Sequence, residues 1–269
     1  MKLCKTLYAV VLIASFCGGC SSDDSGNVES AKGKTFLLVH GAWMGAWCWS
    51  DVALALRARG ATVETVELPA HGDDMTALAD ATLDAYVAKV RTALASHDRP
   101  VILVGHSMAG MVITGAAEAD PSKIEKLVYL GAYLPQDGQS LIDLAMTDAD
   151  SQLGAVSVVD QDAGLVRLPS ASLKDVFAAD GSAAAVKDLE SHYRDEPLLP
   201  FLTPMHTTKA NWGSVPKVYL YTKQDHAVSY GLQQRMTAGV ALVGSVDLDT
   251  SHSPFLSQPT LTASTLAGL

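Results

Sequence analysis

The sequence predicts an α/β protein: a doubly wound, mostly parallel sheet of about six strands, with a helical cap inserted into it. Strand-like apolar runs alternate with helical segments between residues 35 and 130, and the alternation resumes from residue 217. Between residues 131 and 214 there are only helical patches, prolines and polar turns. Because a structureless loop of that length is improbable in a compact domain, we interpret this middle segment as the cap.

The N-terminal segment has the composition of a targeting sequence. Two lysines, Lys2 and Lys5, precede an apolar run over residues 7–16, which is too short to span a bilayer as a helix. Small residues then lead to Cys20. The pattern resembles a bacterial lipoprotein signal, in which cleavage leaves Cys20 as a lipidated N-terminus. Cys17 departs from it, since that signal usually carries an aliphatic residue there.

This resemblance implies that residues 1–20 are a signal peptide and that the polar residues 21–33 form a flexible tether. An ordinary secretory signal cut near Gly19 is the alternative, and it would release a soluble periplasmic protein. In both cases we expect the folded body in the cell envelope outside the cytoplasm. We expect contact with the membrane only through the lipid on Cys20.

Each element of the folded body follows from its pattern of apolar residues. Buried-type runs predict strands at 35–39, 61–66, 101–104, 124–130, 217–222 and 241–248. Helical spacing predicts helices at 46–59, 82–96, 229–237 and 254–266, and one that ends at Ala119. The core is therefore expected over residues 34–131 and 215–269, with the cap over 132–214.

The composition excludes several classes of partner and cofactor. The formal net charge is -10, whereas a protein that binds nucleic acid needs a basic face. No glycine-rich loop that could cradle a phosphate is found, so no cofactor is expected. The folded body has one cysteine, Cys48, and no pair of cysteines or histidines at metal-ligand spacing, so neither a disulfide nor a metal site is predicted. Nothing in the sequence indicates an oligomeric state.

A candidate nucleophile lies between the third predicted strand and the helix that follows it. Gly105-His-Ser-Met-Ala-Gly110 has small residues on both sides of Ser107, which is typical of the tight turn called a nucleophile elbow. The usual pattern ends in glycine, whereas here Ala109 stands in the fifth position. The alternative is an ordinary turn in which Ser107 only caps the helix.

A serine nucleophile needs a base and an acid, and both are expected after late strands of this fold. Asp225 follows the strand at 217–222, and His252 follows the strand at 241–248. They come in the chain order nucleophile, acid, base that this fold uses. We therefore predict Ser107, Asp225 and His252 as the catalytic residues.

Other acids and histidines remain open at this point. Asp137, just beyond the fourth strand, is the second candidate for the acid. Asp247 and Asp249 crowd the loop of His252 and suit that role less well. His226 adjoins Asp225, and His206 lies in the cap, where a packing or surface role is the more common one.

An oxyanion hole needs two N–H donors beside the nucleophile. One is expected to be the backbone N–H of Met108, directly after Ser107. The loop after the first strand, Gly41-Ala-Trp43, should provide the other, and the Ala42 N–H is our choice because Gly41 lets the backbone approach closely. The alternative is that His40-Gly41 only makes a tight turn.

Taken together, these residues resemble the α/β-hydrolase superfamily. The resemblance is to its compact branch of plant methyl-ester esterases and hydroxynitrile lyases, with bacterial relatives that include pyrethroid-type carboxylesterases. The stretches that carry it are 36–49, 105–110, 221–225 and 251–254. The resemblance implies a Ser107–Asp225–His252 triad with Ala42 and Met108 in the oxyanion hole.

Two departures favour hydrolysis over cyanohydrin cleavage. The lyases that resemble this branch carry Thr where Gly41 stands and Lys where Ser253 stands. The predicted function is therefore a serine hydrolase that cleaves a carboxylic ester through an acyl-enzyme on Ser107. A lyase, an enzyme that cleaves amide or carbon–carbon bonds, and a non-catalytic ligand-binding protein of this fold are the alternatives.

The cap and its borders supply candidate substrate contacts. We predict Trp43, Tyr133, Leu134, Met205 and Trp212 as residues of the substrate pocket. Their apolar character favours a small to medium hydrophobic ester as the partner molecule. Packing within the core would explain the same residues equally well.

Overall fold

The computed structural model describes residues 30–269. The predicted signal peptide 1–20, the lipidation site Cys20 and most of the tether 21–33 lie outside the described residues. None of the helices within 30–269 combines the length and the apolar character needed to cross a membrane.

The described part of the chain contains nine strands and eleven α-helices. The strands are β1 (Thr35–Val39), β2 (Thr62–Val66), β3 (Val101–His106), β4 (Ile124–Leu130), β5 (Val158–Asp160), β6 (Leu165–Arg167), β7 (Glu196–Pro197), β8 (Lys217–Thr222) and β9 (Gly244–Leu248). The helices are α1 (Ser50–Ala58), α2 (Leu83–Ala95), α3 (Ala109–Ala119), α4 (Leu141–Ala145), α5 (Leu153–Val156), α6 (Ser170–Phe177), α7 (Ala183–His192), α8 (Leu199–Leu202), α9 (Tyr230–Thr237), α10 (Pro254–Ser257) and α11 (Pro259–Ala267).

Six of these strands form one parallel sheet in the order β2-β1-β3-β4-β8-β9. All six residues of the central strand β3 are buried, as expected for a strand with both faces covered. The edge strands β2 and β9 keep several exposed residues. The predicted α/β sheet of about six strands is confirmed.

Helices flank this sheet in packed pairs. One pair is α1 with α11, and another is α2 with α3. Helix α2 begins where predicted, because the Thr82 hydroxyl caps it by accepting a hydrogen bond from the Ala85 N–H at 3.1 Å. The C-terminal helix differs from the prediction: it is broken at Gln258, before Pro259, which cannot donate a backbone hydrogen bond.

The cap segment lies between β4 and β8, which are neighbours in the sheet. It is mixed rather than purely helical, since it contains helices α4–α8 and an antiparallel sheet in the order β5-β6-β7. Strands of two or three residues are too short to show an alternating pattern, which is why the sequence predicted only helices there. A bridge between Gln139 and Met205 joins the two ends of the segment, with the Met205 N–H donating to the Gln139 carbonyl at 2.9 Å.

Candidate active site

The turn that carries Ser107 is strained and tightly packed. Ser107 has a φ of 55°, in the left-handed region that costs a non-glycine residue about 1–3 kcal/mol. The turn joins β3 directly to α3. A Cβ added at Gly105 would lie 2.8 Å from the Ala109 carbonyl oxygen, so this position must be glycine. Ala109 itself is accommodated in the fifth position of the elbow.

The structure brings Asp225 and His252 together. Asp225 Oδ2 accepts the His252 Nδ1–H at 2.7 Å and the Thr222 hydroxyl at 2.6 Å. Asp225 Oδ1 accepts the backbone N–H groups of Ala227 and Val228, each at 2.8 Å. Both carboxylate oxygens are therefore satisfied by hydrogen bonds within the core, which keeps this buried acid in one orientation.

This arrangement determines which nitrogen of His252 can act as a base. Because Nδ1–H donates to Asp225, the lone pair lies on Nε2, which has no hydrogen-bond partner among the described residues. The His252 carbonyl accepts a 2.9 Å hydrogen bond from Nε2–H of His106, the residue just before Ser107. No hydrogen bond joins Ser107 Oγ to Nε2 within this part of the chain; such bonds often form only when substrate is bound.

The loop after β1, residues 41–43, lies against the elbow, and we call it the oxyanion loop. A Cβ added at Gly41 would lie 2.8 Å from the Cβ of Ser107. Ala42 and Met108 line the same cavity as Ser107. Neither of their backbone N–H groups donates to another backbone group in the described residues, which leaves both available to a substrate oxygen.

Trp43 holds the oxyanion loop against the cap. Its φ of 60° is again in the left-handed region. All of its polar groups bind cap residues. The backbone N–H donates to Glu196 Oε2 at 2.7 Å, and the indole Nε1–H donates to the Val166 carbonyl at 3.0 Å. The carbonyl accepts the Arg194 N–H at 3.3 Å. The sequence offered no signal for these contacts, because they join segments far apart in the chain.

A cavity of about 240 Å³ opens beside Ser107. Its lining is mostly apolar and includes both predicted borders of the site, Trp43 and Tyr133. The remaining lining residues come mainly from the cap: Leu141, Ile142, Ala145, Met146, Asp148, Ser151, Leu153, Gly154, Ser157, Val159, Val166, Leu198 and Phe201. The cavity therefore has the size and character of a site for a small apolar group.

Three predicted pocket residues lie elsewhere. Leu134 is buried away from this cavity, and its N–H faces Met236 Sδ at 3.4 Å. Met205 packs beside Gly115 of α3, and Trp212 donates its indole N–H to the Tyr129 hydroxyl at 2.9 Å. Their apolar character is explained by packing where the cap meets the core.

The other candidates for acid and base are separated from Ser107. Asp137 and His206 pair with each other at 3.3 Å on the surface, where their side chains are 66% and 80% exposed. Asp247 and Asp249 are also exposed. Nδ1–H of His226 donates to the Asp175 carbonyl at 2.7 Å, so its ring is turned toward the cap. These positions leave Asp225 as the one candidate acid that contacts His252.

The pKa values of the buried histidines near the site are shifted in different directions. Burial lowers the pKa of His106 well below its ordinary value. Burial also lowers the pKa of His40, whose Nε2 accepts the Leu68 N–H at 3.1 Å as a neutral ring would. Burial alone would lower the pKa of His71 too, but the charge and hydrogen bond of Glu196 raise it above the ordinary value. No cluster of metal-ligating side chains is found within residues 30–269.

The model of the alpha/beta hydrolase family matches residues 36–265, which is most of the chain. The chain belongs to the alpha/beta hydrolase family. The matched region contains nearly all of β1, the elbow and both late loops, and the family resemblance inferred from the sequence is confirmed.

Relatives of this chain include plant methylesterases. Methylesterase 7 of Arabidopsis thaliana is 30% identical over 248 residues, which cover 84% of this chain and 92% of that protein. The putative chloroplastic methylesterase 13 of the same plant is longer, and it is 30% identical over 249 residues, 86% of this chain. The chain spans 55% of that protein, so it covers about half the length of some curated relatives it matches.

Solved structures show the same fold. An extracellular alpha/beta-hydrolase from a Paenibacillus species superposes with a TM-score of 0.74 at 27% identity, covering 87% of this chain and 97% of that one. A pyrethroid hydrolase superposes with a TM-score of 0.76 at 24% identity, covering 87% and 96%. At this level of identity the second likeness concerns the fold alone.

Proposed function

We propose that this protein is a serine hydrolase that cleaves small to medium, uncharged carboxylic esters. The observation that carries the proposal is the orientation of His252, whose Nδ1–H is held by Asp225 and whose Nε2 is left to act as a base. The methylesterases among its relatives are named for ester hydrolysis, which supports the same reaction class.

The reaction would proceed in two steps. His252 Nε2 takes the proton of Ser107 Oγ, which bonds to the ester carbonyl carbon while the N–H groups of Ala42 and Met108 stabilise the oxyanion. The carbon–oxygen bond to the alcohol breaks, and the alcohol leaves with the proton from His252. Water then attacks the acyl-enzyme by the reverse route and releases the carboxylic acid and Ser107.

The cavity supports an uncharged substrate. Asp148 is its single charged lining residue, and its carboxylate accepts the N–H of Ser229 at 2.8 Å as well as the Ser229 hydroxyl. The guanidinium of Arg235 lies 4.0 Å from Asp148, but it is half-exposed and does not line the cavity. An ester bearing its own carboxylate would therefore meet like charge inside an apolar cavity, which disfavours it.

A lyase is the second candidate, and two positions argue against it. A Cβ at Gly41 would crowd Ser107, so the threonine of the resembling lyases does not fit this backbone. Ser253, which stands where those lyases carry lysine, is fully buried, and no lysine or arginine lines the cavity. A leaving cyanide would thus find no cation to stabilise it.

The first experiment combines labelling with matched substrates. The protein and its Ser107→Ala variant are treated with a fluorophosphonate and weighed intact, then assayed with p-nitrophenyl butyrate, p-nitrophenyl hemisuccinate, a matched anilide and a cyanohydrin. We expect one adduct on the wild type only, and Ser107-dependent turnover of the butyrate at least about tenfold above that of the hemisuccinate. Equal turnover by Ser107→Ala, or preference for the anilide or the cyanohydrin, would contradict the proposal.

A further inference from the structure

Glu196 is a buried carboxylate outside the predicted triad. It lies on β7 in the cap and is fully buried. Its Oε2 accepts two hydrogen bonds, from the Trp43 backbone N–H at 2.7 Å and from His71 Nε2–H at 2.8 Å. Its Oε1 has no partner among the described residues. Such a group is costly to bury, so it persists only where its contacts compensate for the lost solvation.

His71 supplies the compensating charge. Its Nε2 faces the Glu196 carboxylate, and its Nδ1 faces the Pro69 carbonyl at 2.9 Å. Both partners can only accept hydrogen bonds, because the carboxylate is ionised and a carbonyl has no proton. The ring must therefore carry protons on both nitrogens. His71 is a cation with no lone pair to offer, and it acts as the counter-ion of Glu196.

The Trp43 N–H links this ion pair to the reaction centre. The peptide that contains this N–H joins Trp43 to Ala42, whose own N–H is the proposed oxyanion donor. Trp43 adopts a left-handed backbone that a tryptophan rarely adopts, so it depends on the surrounding contacts to stay there. A charge-assisted hydrogen bond to a buried carboxylate is the strongest of those contacts.

We propose that Glu196 is a positioning residue: with His71 as its counter-ion, it fixes the Trp43 N–H and thereby aims the Ala42 N–H at the substrate carbonyl oxygen. The inference rests on the proposed hydrolysis at Ser107. It assigns the cap a part in stabilising the transition state, in addition to lining the cavity. The cap thus supplies no group to the oxyanion itself and acts through the backbone of the core.

The test compares Glu196→Ala, Glu196→Gln and the matched control Asp195→Asn. Asp195 is the neighbouring acid, and it pairs with Arg167 at 2.8 Å instead of contacting the oxyanion loop. kcat and KM for p-nitrophenyl butyrate are measured and normalised to the sites that fluorophosphonate labels, so that unfolded protein does not count. Backbone hydrogen exchange of the peptide spanning residues 41–46 is followed by mass spectrometry in the same samples.

We expect Glu196→Ala to lower kcat per labelled site about 10- to 100-fold with KM changed by less than about threefold, because an oxyanion donor acts mainly in the transition state. Glu196→Gln keeps an acceptor oxygen for Trp43 and should recover part of the loss. Exchange at 41–46 should accelerate in Glu196→Ala and stay unchanged in Asp195→Asn.

Two results would overturn the inference: a kcat per labelled site within about twofold of wild type in both Glu196 variants, or unchanged exchange at 41–46. If Glu196→Ala does not fold, Glu196→Gln decides alone, since it must still both lower kcat and speed exchange at 41–46. If the wild type itself hydrolyses no ester, the proposed function fails. The exchange rates then test only whether Glu196 fixes the Trp43 N–H.

Discussion

Two buried carboxylate–histidine pairs lie close to the oxyanion loop and the elbow, and their nitrogen–oxygen distances are nearly the same, although Asp225 binds Nδ1 of its histidine and Glu196 binds Nε2. Asp225 and His252 are joined at 2.7 Å in the core, and Glu196 and His71 at 2.8 Å between core and cap. The two pairs also differ in what surrounds the histidine nitrogen that does not contact the carboxylate. That of His252 faces no hydrogen-bonding group among the described residues, whereas that of His71 donates to the Pro69 carbonyl.

A buried carboxylate–histidine pair is not sufficient to make its histidine a catalytic base. A histidine held by a carboxylate can take a proton only if its other nitrogen keeps a lone pair. His252 meets that condition, and His71 does not. On our proposals, a carboxylate–histidine pair therefore serves proton transfer in one place and backbone positioning in the other.

The largest effect is expected from Asp225→Asn. An amide at this position can present N–H to His252 Nδ1 and favour the wrong tautomer, so kcat for a neutral ester should fall about 10³- to 10⁴-fold with little change in KM. Steady-state kinetics check this. The control is Asp249→Asn, since Asp249 is exposed and accepts only the Gln224 amide at 2.9 Å. Undiminished turnover in Asp225→Asn would remove Asp225 from the mechanism.

An effect on stability of intermediate size is expected from His71→Leu. The change leaves the Glu196 carboxylate buried without a counter-ion, so the free energy of unfolding should fall by about 3–5 kcal/mol in denaturant titrations. The double variant His71→Leu/Glu196→Leu should be more stable than the single one, because neither charge remains. As a control, His206→Leu removes an exposed pair with Asp137 and should cost less than about 1 kcal/mol. A double variant no more stable than His71→Leu would show that the charge of Glu196 needs no partner.

The smallest effect is expected from pH, and its sign follows from the raised pKa of His71. A histidine whose pKa is raised on folding contributes stability that is complete below its ordinary value of 6.5 and is lost as pH rises through the folded value. The groups that face His71 are the carboxylates of Glu196 and Glu67 and the rings of His40 and Tyr86. The stability advantage of wild type over His71→Leu should therefore be complete below about pH 6.5 and shrink as the pH rises above it.

Urea titrations of both proteins below and above that pH measure the difference. His40 and His106, whose pKa values are lowered by burial, favour folding as pH rises from acid values towards about 6.5. The charge of His71 adds to the lowering for His40, so the His40 contribution differs between the two proteins and the effect of His71 is measured above that pH. A difference that stays constant with pH would mean that His71 does not change its charge in that range.

Much of the fold and the placement of the triad candidates could be predicted from the sequence. In a parallel sheet the carboxyl ends of neighbouring strands share one edge, so residues that follow such strands are brought together. Ser107 follows β3, Asp225 follows β8 and His252 follows β9. Strands β3 and β8 have clear apolar runs, and the apolar residues 241–243 directly precede β9. Local pattern and topology were sufficient for these positions.

The cap and the Glu196–His71 pair could not be predicted in that way. The cap strands are two or three residues long and have no detectable period. Glu196 and His71 are 125 positions apart, and neither belongs to a motif. The cavity beside Ser107 is not lined by Leu134, Met205 or Trp212. Apolar character predicted that these side chains are buried, but it does not indicate which cavity a side chain borders. Only the packed structure shows whether an apolar side chain lines the pocket or packs where the cap meets the core.

The pairing of β4 with β8 across the whole cap has a consequence for synthesis on the ribosome. A growing chain completes β1 to β4, including Ser107, before the acid and the base have been translated. Until β8 arrives, β4 is an open strand edge with a largely buried-type sequence, which is prone to pair with other chains. A chain truncated before residue 217 would therefore carry Ser107 without its proposed acid and base and tend to aggregate, so about the last fifth of the protein both supplies these two residues and closes the sheet.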